Sequence, residues 1–111
     1  MLTVPLKFGP GRSDIPAKSF AGLRNMALLI KANPSWKRIV IRAHWDRSGN
    51  PSDALLLTQK QATAILQFLV TEGVDFRRLI AEGRGDTAPI AANKTAKGRL
   101  QNRRVEFLLR R

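Results

Sequence analysis

Residues 38–73 constrain the fold more than any other stretch of this chain. Arg38-Ile39-Val40-Ile41-Arg42-Ala43 is short and β-branched, which suits a buried, pleated strand better than a helix. Pro34 bounds it on one side and the turn-forming run Ser48-Gly49-Asn50-Pro51 on the other. From Ser52 or Asp53 to Glu72, residues Leu57, Ala62, Ile65, Leu66 and Leu69 then lie within one helical stripe. Gly73 stands where a left-handed residue closes such a helix. A buried strand feeding a long one-sided helix needs partners for both, so the flanks must supply more strands and another helix.

The flanks fit that requirement. Residues 3–8 are apolar with Pro5 inside, which suits a first or edge strand, and Gly9-Pro10-Gly11 turns the chain. Ser13 and Asp14 are candidate caps before Pro16, after which Phe20, Leu23, Ala27 and Ile30 recur at helical spacing until Asn33-Pro34. That predicts a helix of about four turns. Residues 79–82 read as a short strand and Gly83-Arg84-Gly85-Asp86 as a turn. Residues 87–101 read as a loop with room for a short helix, and residues 104–109 as the last strand. The expected fold is α+β: a two-layer β-α-β-α-β-β sandwich, with helices packed on one face of a mixed four-stranded sheet. With no internal repeat and no dividing linker, residues 1–111 are expected to form a single domain.

Charge narrows the partners without naming one. The formal net charge of +12 favours acidic partners such as nucleic acid, anionic lipid or acidic wall polymers. Adjacent arginines occur only at Arg77-Arg78, Arg103-Arg104 and Arg110-Arg111, tyrosine is absent, and the few aromatics are not interleaved with basic residues as a stacking platform requires. Non-specific nucleic-acid binding at low salt is therefore expected, not a nucleic-acid function. The absence of cysteine excludes disulfides, thiolate metal sites and cysteine nucleophiles. No run approaches the ~20 apolar residues of a membrane span, and the N-terminal residues lack the pattern of a signal peptide. An exported parent protein is expected to carry its signal or anchor outside this sequence.

The residues also give no support to catalysis. His44 is the only histidine, and a lone histidine is more often a hydrogen-bonded structural residue than a base or metal ligand. Glu72, Asp75, Glu82, Asp86 and Glu106 show no spacing that identifies a hydrolase, and no activated nucleophile stands near them in sequence. Gly83-Arg84-Gly85-Asp86 lacks the spaced glycines of a phosphate-binding loop. The chain is expected to be no enzyme and to need no cofactor.

An ordered set of segments nonetheless points to a ligand. Ile39-Val40-Ile41-Arg42-Ala43-His44-Trp45-Asp46 is similar to the OmpA-like strand that leads into Gly-His-Thr-Asp, and Leu57-Thr58-Gln59-Lys60-Gln61-Ala62 to the family's Leu-Ser-x-x-Arg-Ala. Gly73-Val74, Gly83-Arg84-Gly85, Asn93-Lys94-Thr95 and Asn102-Arg103-Arg104-Val105-Glu106 follow the family's order and spacing. The chain thus resembles the OmpA-like C-terminal domain over nearly its whole length.

What the resemblance implies is a periplasmic or cell-envelope domain that holds the peptide stem of peptidoglycan non-covalently, usually through diaminopimelate. Asp46 corresponds to the family residue that pairs with the ligand ammonium, and Gln61 replaces the arginine that holds its carboxylate. Ala54 stands for the family's asparagine, Ala43 for its glycine and Trp45 for its threonine. An arginine fork gives bidentate, charge-assisted bonds that a neutral amide cannot. The candidate ligand-binding residues are therefore Asp46, Gln61, Arg103 and Trp45, and the expected binding is weakened or altered.

Each has an ordinary reading beside it. Asp46 also suits a turn-opening aspartate paired with Arg103 or Arg104, and Trp45 suits either stacking on a sugar or simple filling of space. Successive residues on a strand face opposite ways, so only one of Arg103 and Arg104 can share a site with Asp46. The alternative function is a diverged structural or protein-interaction module that no longer binds peptidoglycan. A third candidate partner is another anionic envelope polymer.

Overall fold

The computed structural model describes residues 2–4 and 6–110. Met1, Pro5 and Arg111 lie outside them, and with Pro5 the expected proline within the first strand. The element order is β1 (Leu2–Val4), α1 (Phe20–Ala32), β2 (Arg38–His44), α2 (Pro51–Thr71), β3 (Leu79–Gly85), α3 (Ala96–Asn102) and β4 (Arg104–Arg110), with short 3-10 turns before α1 and β3.

The sheet runs in the order β1-β4-β2-β3. β2 is the expected central strand: it pairs in parallel with β3, Ile39 beside Leu79, and antiparallel with β4, Ile41 beside Phe107. β1 pairs antiparallel with β4, Thr3 opposite Glu106. The fold is therefore α+β with a mixed sheet.

Alternation along the strands decides which face the helices cover. Ile39, Ile41 and Ala43 of β2, Val105 and Phe107 of β4, and Leu79 of β3 are all buried. They meet Leu23, Met26, Ala27 and Ile30 of α1 and Ala62, Ile65 and Leu69 of α2 in one apolar core. Each of the larger side chains contributes about 1.5–3 kcal/mol by leaving water, and the alanines less, which is what holds the two layers together. Phe20 and Phe68 stack with ring centroids 5.3 Å apart, joining α1 to α2. On the other face of the sheet, Arg42 and Arg84 flank Glu82 at 3.4 and 2.7 Å, while His44 and Arg104 flank Glu106 at 2.6 and 3.2 Å.

Local chemistry sets the helix ends. Asn50 caps α2, its side-chain oxygen accepting from the backbone N–H of Ser52 at 2.8 Å and of Asp53 at 3.3 Å. Pro51 occupies the first turn, where its missing N–H costs nothing. Gly73 closes the helix at φ 98°, as its position implies, and the Lys31 ammonium donates to the Glu72 carbonyl at 2.7 Å, tying α1 to that end.

Three expectations need correction. The first strand does not run over residues 3–8: β1 ends at Val4, yet Leu6 and Phe8 are buried, so their apolar character reports core packing and not a ladder. The first helix is not capped by Ser13 or Asp14. Asp14 accepts from Arg12 at 2.8 Å, Pro16 precedes a 3-10 turn at Ala17–Ser19, and the α-helix begins at Phe20. Gly83-Arg84-Gly85 is not a turn but the end of β3. The short helix for which residues 87–101 left room is α3: it begins at Ala96, where Thr95 Oγ1 accepts from Gly98 N–H at 3.0 Å.

The glycines explain the third correction. A Cβ on Gly83 would lie 2.3 Å from the backbone nitrogen of Gln59, inside α2. The helix comes this close because its side chains bond the strand: Gln59 Oε1 accepts from Gly83 N–H at 3.0 Å and Thr58 Oγ1 from Gly85 N–H at 2.9 Å. These bonds fix the start of α2 against β3, beside the end of β2.

Candidate functional site

A cleft of about 420 Å³ opens where the end of β2, the loop that follows it and the first turns of α2 meet the chain after β1. Trp45, Asp46 and Ser48 form one wall, Ala54, Leu57 and Lys60 another. Trp45 is fixed by its own backbone, its N–H donating to the Gly85 carbonyl at 2.8 Å.

Asp46 lines the cleft but is sealed into its wall. Its side chain has no exposed surface; one oxygen accepts from the Ser48 N–H at 2.8 Å and the other pairs with the Arg103 guanidinium. Burial alone would raise the carboxyl pKa, but the hydrogen bonds from Ser48 and Arg103 hold it below the ordinary carboxylate range. Arg103 also lies over the Trp45 ring, its guanidinium carbon 4.7 Å from the ring centroid. Trp45, Asp46 and Arg103 thus form one packed unit.

Gln61 faces elsewhere. It is 1% exposed, and its amide donates to the Arg12 carbonyl at 3.0 Å. It borders a separate space of about 10 Å³ with Trp45, His44, Arg103 and Arg104, barely room for one water. Of the four candidate residues, Trp45 and Asp46 line the main cleft, whereas Gln61 and Arg103 sit behind it.

Arg103, which closes α3, and Arg104, which opens β4, point apart. Arg104 donates to Glu106 at 3.2 Å and to the Ala88 carbonyl at 2.9 Å, away from Asp46. His44 is buried with Nε2 2.6 Å from Glu106 Oε1, and its Nδ1 is buried with no hydrogen-bond partner. Burial and the nearby Arg104 lower its pKa despite Glu106, so the ring is held neutral with its proton on Nε2.

Asn102 braces the loop beside the site. It is fully buried; its Oδ1 accepts from Ile90 N–H at 2.8 Å and Ala91 N–H at 3.0 Å, and its Nδ2 donates to Asn93 at 3.0 Å. Asn93 in turn accepts from the Arg47 N–H at 3.1 Å, so one amide chain ties α3 to the loop after Asp46.

Sequence reasoning missed Asp53 and Lys60, which line the same cleft and are exposed. Asp53, Leu57 and Lys60 follow one another at i, i+4 and i+7, a signal that they share a face of α2.

Taken together, the structure is a mixed α+β sandwich with a cleft of mixed polarity beside a buried acid–base pair. The OmpA family model matches residues 7–103, and the chain belongs to the OmpA family. It is 37% identical over 102 residues to outer membrane porin F of Pseudomonas aeruginosa, covering 91% of this chain and 29% of that protein. It is 35% identical over 106 residues to the peptidoglycan-binding protein ArfA of Mycobacterium tuberculosis, covering 95% of this chain and 32% of that protein. The chain spans about a third of the length of these relatives. Among solved structures it superimposes on the peptidoglycan-associated lipoprotein of Burkholderia pseudomallei with a TM-score of 0.87 at 26% identity, covering 95% of this chain and 88% of that one. The C-terminal domain of Helicobacter pylori MotB shares the fold at a TM-score of 0.88 and 22% identity, over 100% of this chain and 85% of that one. The family is one of non-enzymatic cell-envelope domains, in keeping with the sequence reading.

Proposed function

We propose that residues 1–111 act as a single non-catalytic wall-binding domain, on a four-stranded sheet, that takes the peptide stem of peptidoglycan into the cleft beside Trp45 and Asp46. The observation that carries this reading is the position of the cleft: both segments that resemble the family's ligand motifs reach it, the first through Trp45 and Asp46 and the second through Leu57 and Lys60. Relatives named for peptidoglycan attachment support it. The place of action is the bacterial cell envelope, as part of a longer exported protein.

Recognition is altered from the family pattern. Gln61 is buried and neutral where the family places an arginine, and Asp46 already has Arg103 as its counter-ion. Gln61 and Ala54 also favour a second reading, a diverged module that holds another protein and no longer the wall. Another anionic envelope polymer, or nucleic acid at low salt, would be held by charge alone and released steeply by added salt.

Retention on purified peptidoglycan at moderate salt separates these readings. Wall recognition predicts retention that a soluble diaminopimelate-containing stem peptide competes away and that Asp46→Ala reduces. Retention abolished by salt and indifferent to the peptide defeats the proposal. Because Asp46→Ala also removes a structural ion pair, the peptide competition on the unaltered protein is the deciding arm.

A further inference from the structure

We infer that the charge pair reading the zwitterionic end of the ligand has moved to the exposed edge of α2, where Lys60 takes the carboxylate and Asp53 the ammonium. This rests on the stem-peptide reading above and assigns its specificity to residues outside the family motif.

The groups expected to do this work are occupied. Gln61 spends its amide on the Arg12 carbonyl behind the cleft, and a ligand carboxylate cannot enter a space of about 10 Å³. Both oxygens of Asp46 are engaged and its side chain has no exposed surface, so a ligand ammonium must displace Arg103 to reach it. Removing a buried acid's partner is expensive in the absence of an equal replacement.

The groups left free stand where a zwitterion can meet them. Among the described residues Lys60 is the one cation lining the main cleft, and neither its ammonium nor the Asp53 carboxylate makes a hydrogen bond or ion pair with any of them. They lie seven residues apart on one helix, roughly 10 Å along its axis, too far to neutralise each other. Between them Ala54 and Leu57 offer an apolar floor, matching a ligand whose ammonium and carboxylate are separated by an aliphatic spacer. Lys60 also lines a second groove of about 290 Å³ with Thr63 and Gln67, which gives a peptide somewhere to continue.

Calorimetric titration with a synthetic stem peptide bearing diaminopimelate tests the assignment, beside the same peptide amidated at its side-chain carboxylate. Lys60→Ala and Asp53→Asn each weaken binding about three- to fivefold, the size of an exposed ion pair, and Lys60→Arg retains it. The amidated peptide loses the same factor on the unaltered protein and nothing further on Lys60→Ala. If the unaltered protein binds the peptide and Lys60→Ala binds it equally well, the relocation is wrong and the wall-binding reading stands. If the unaltered protein binds neither peptide nor purified peptidoglycan, both fall.

Discussion

The Asp46 carboxylate, just beyond β2, is closed over by the Arg103 guanidinium, just before β4, so the two loops beside the cleft are held by an ion pair whose acid is wholly buried. Asp46→Asn keeps the volume but leaves Arg103 with a neutral partner. Because Arg103 retains 23% exposure, the loss should fall below that of a fully buried pair, about 2 kcal/mol in urea unfolding. The native carboxyl titrates below its unfolded value, so its contribution is complete above about pH 4 and disappears as pH falls through the lowered native pKa. The Asn variant should lose that part of the acid dependence.

His44 acts in a separate window. Burial, then Arg104, depresses its pKa, so below about pH 6.5 the unfolded chain takes up a proton that the native state resists. Stability should be flat above pH 7 and decline as pH falls below about 6.5 toward the lowered native pKa of His44. His44→Gln should flatten that segment of a melting-temperature profile; an unchanged slope would show the ring titrating normally.

Gly83 is tested by a single methyl group. A Cβ there would stand 2.7 Å from the Gln59 Cα, and a helix backbone cannot give way as a flexible side chain can. Gly83→Ala should cost about 3 kcal/mol and break the Gln59 bond, read as a lower urea midpoint and faster amide exchange at Gly83 and Gly85.

Where sequence patterns report a residue's own environment, they were readable. Ile39-Val40-Ile41 marked the interior strand by its branching, and Gly73 marked the end of α2 by the backbone angle only glycine takes easily. Of the candidate residues that the family resemblance singled out, Trp45 and Asp46 line the cleft. The glycines of β3 misled because they are small for the sake of a helix some 25 residues away, and the sequence shows the gap without the neighbour. Leu6 and Phe8 misled for the opposite reason, being buried by packing without joining a ladder.

The site was less legible than the fold. Motif spacing places Asp46 and Gln61 but says nothing of whether their polar atoms are already engaged, and both are. Lys60 falls at a variable position of the motif, so only the helix orientation brings it into the cleft. α3 was faint because its seven residues carry no apolar stripe and depend on the Thr95 cap and on Asn102.

The strand order β1-β4-β2-β3 has a consequence for how the molecule is made. β4, the last strand in sequence, lies between β1 and β2, so the sheet remains in two pieces until residue 110 has been synthesised. β2 and β3 can pair with each other under their helices before β4 arrives, whereas β1 pairs only with β4, so closing the N-terminal edge of the sheet depends on the most distant contact in the chain.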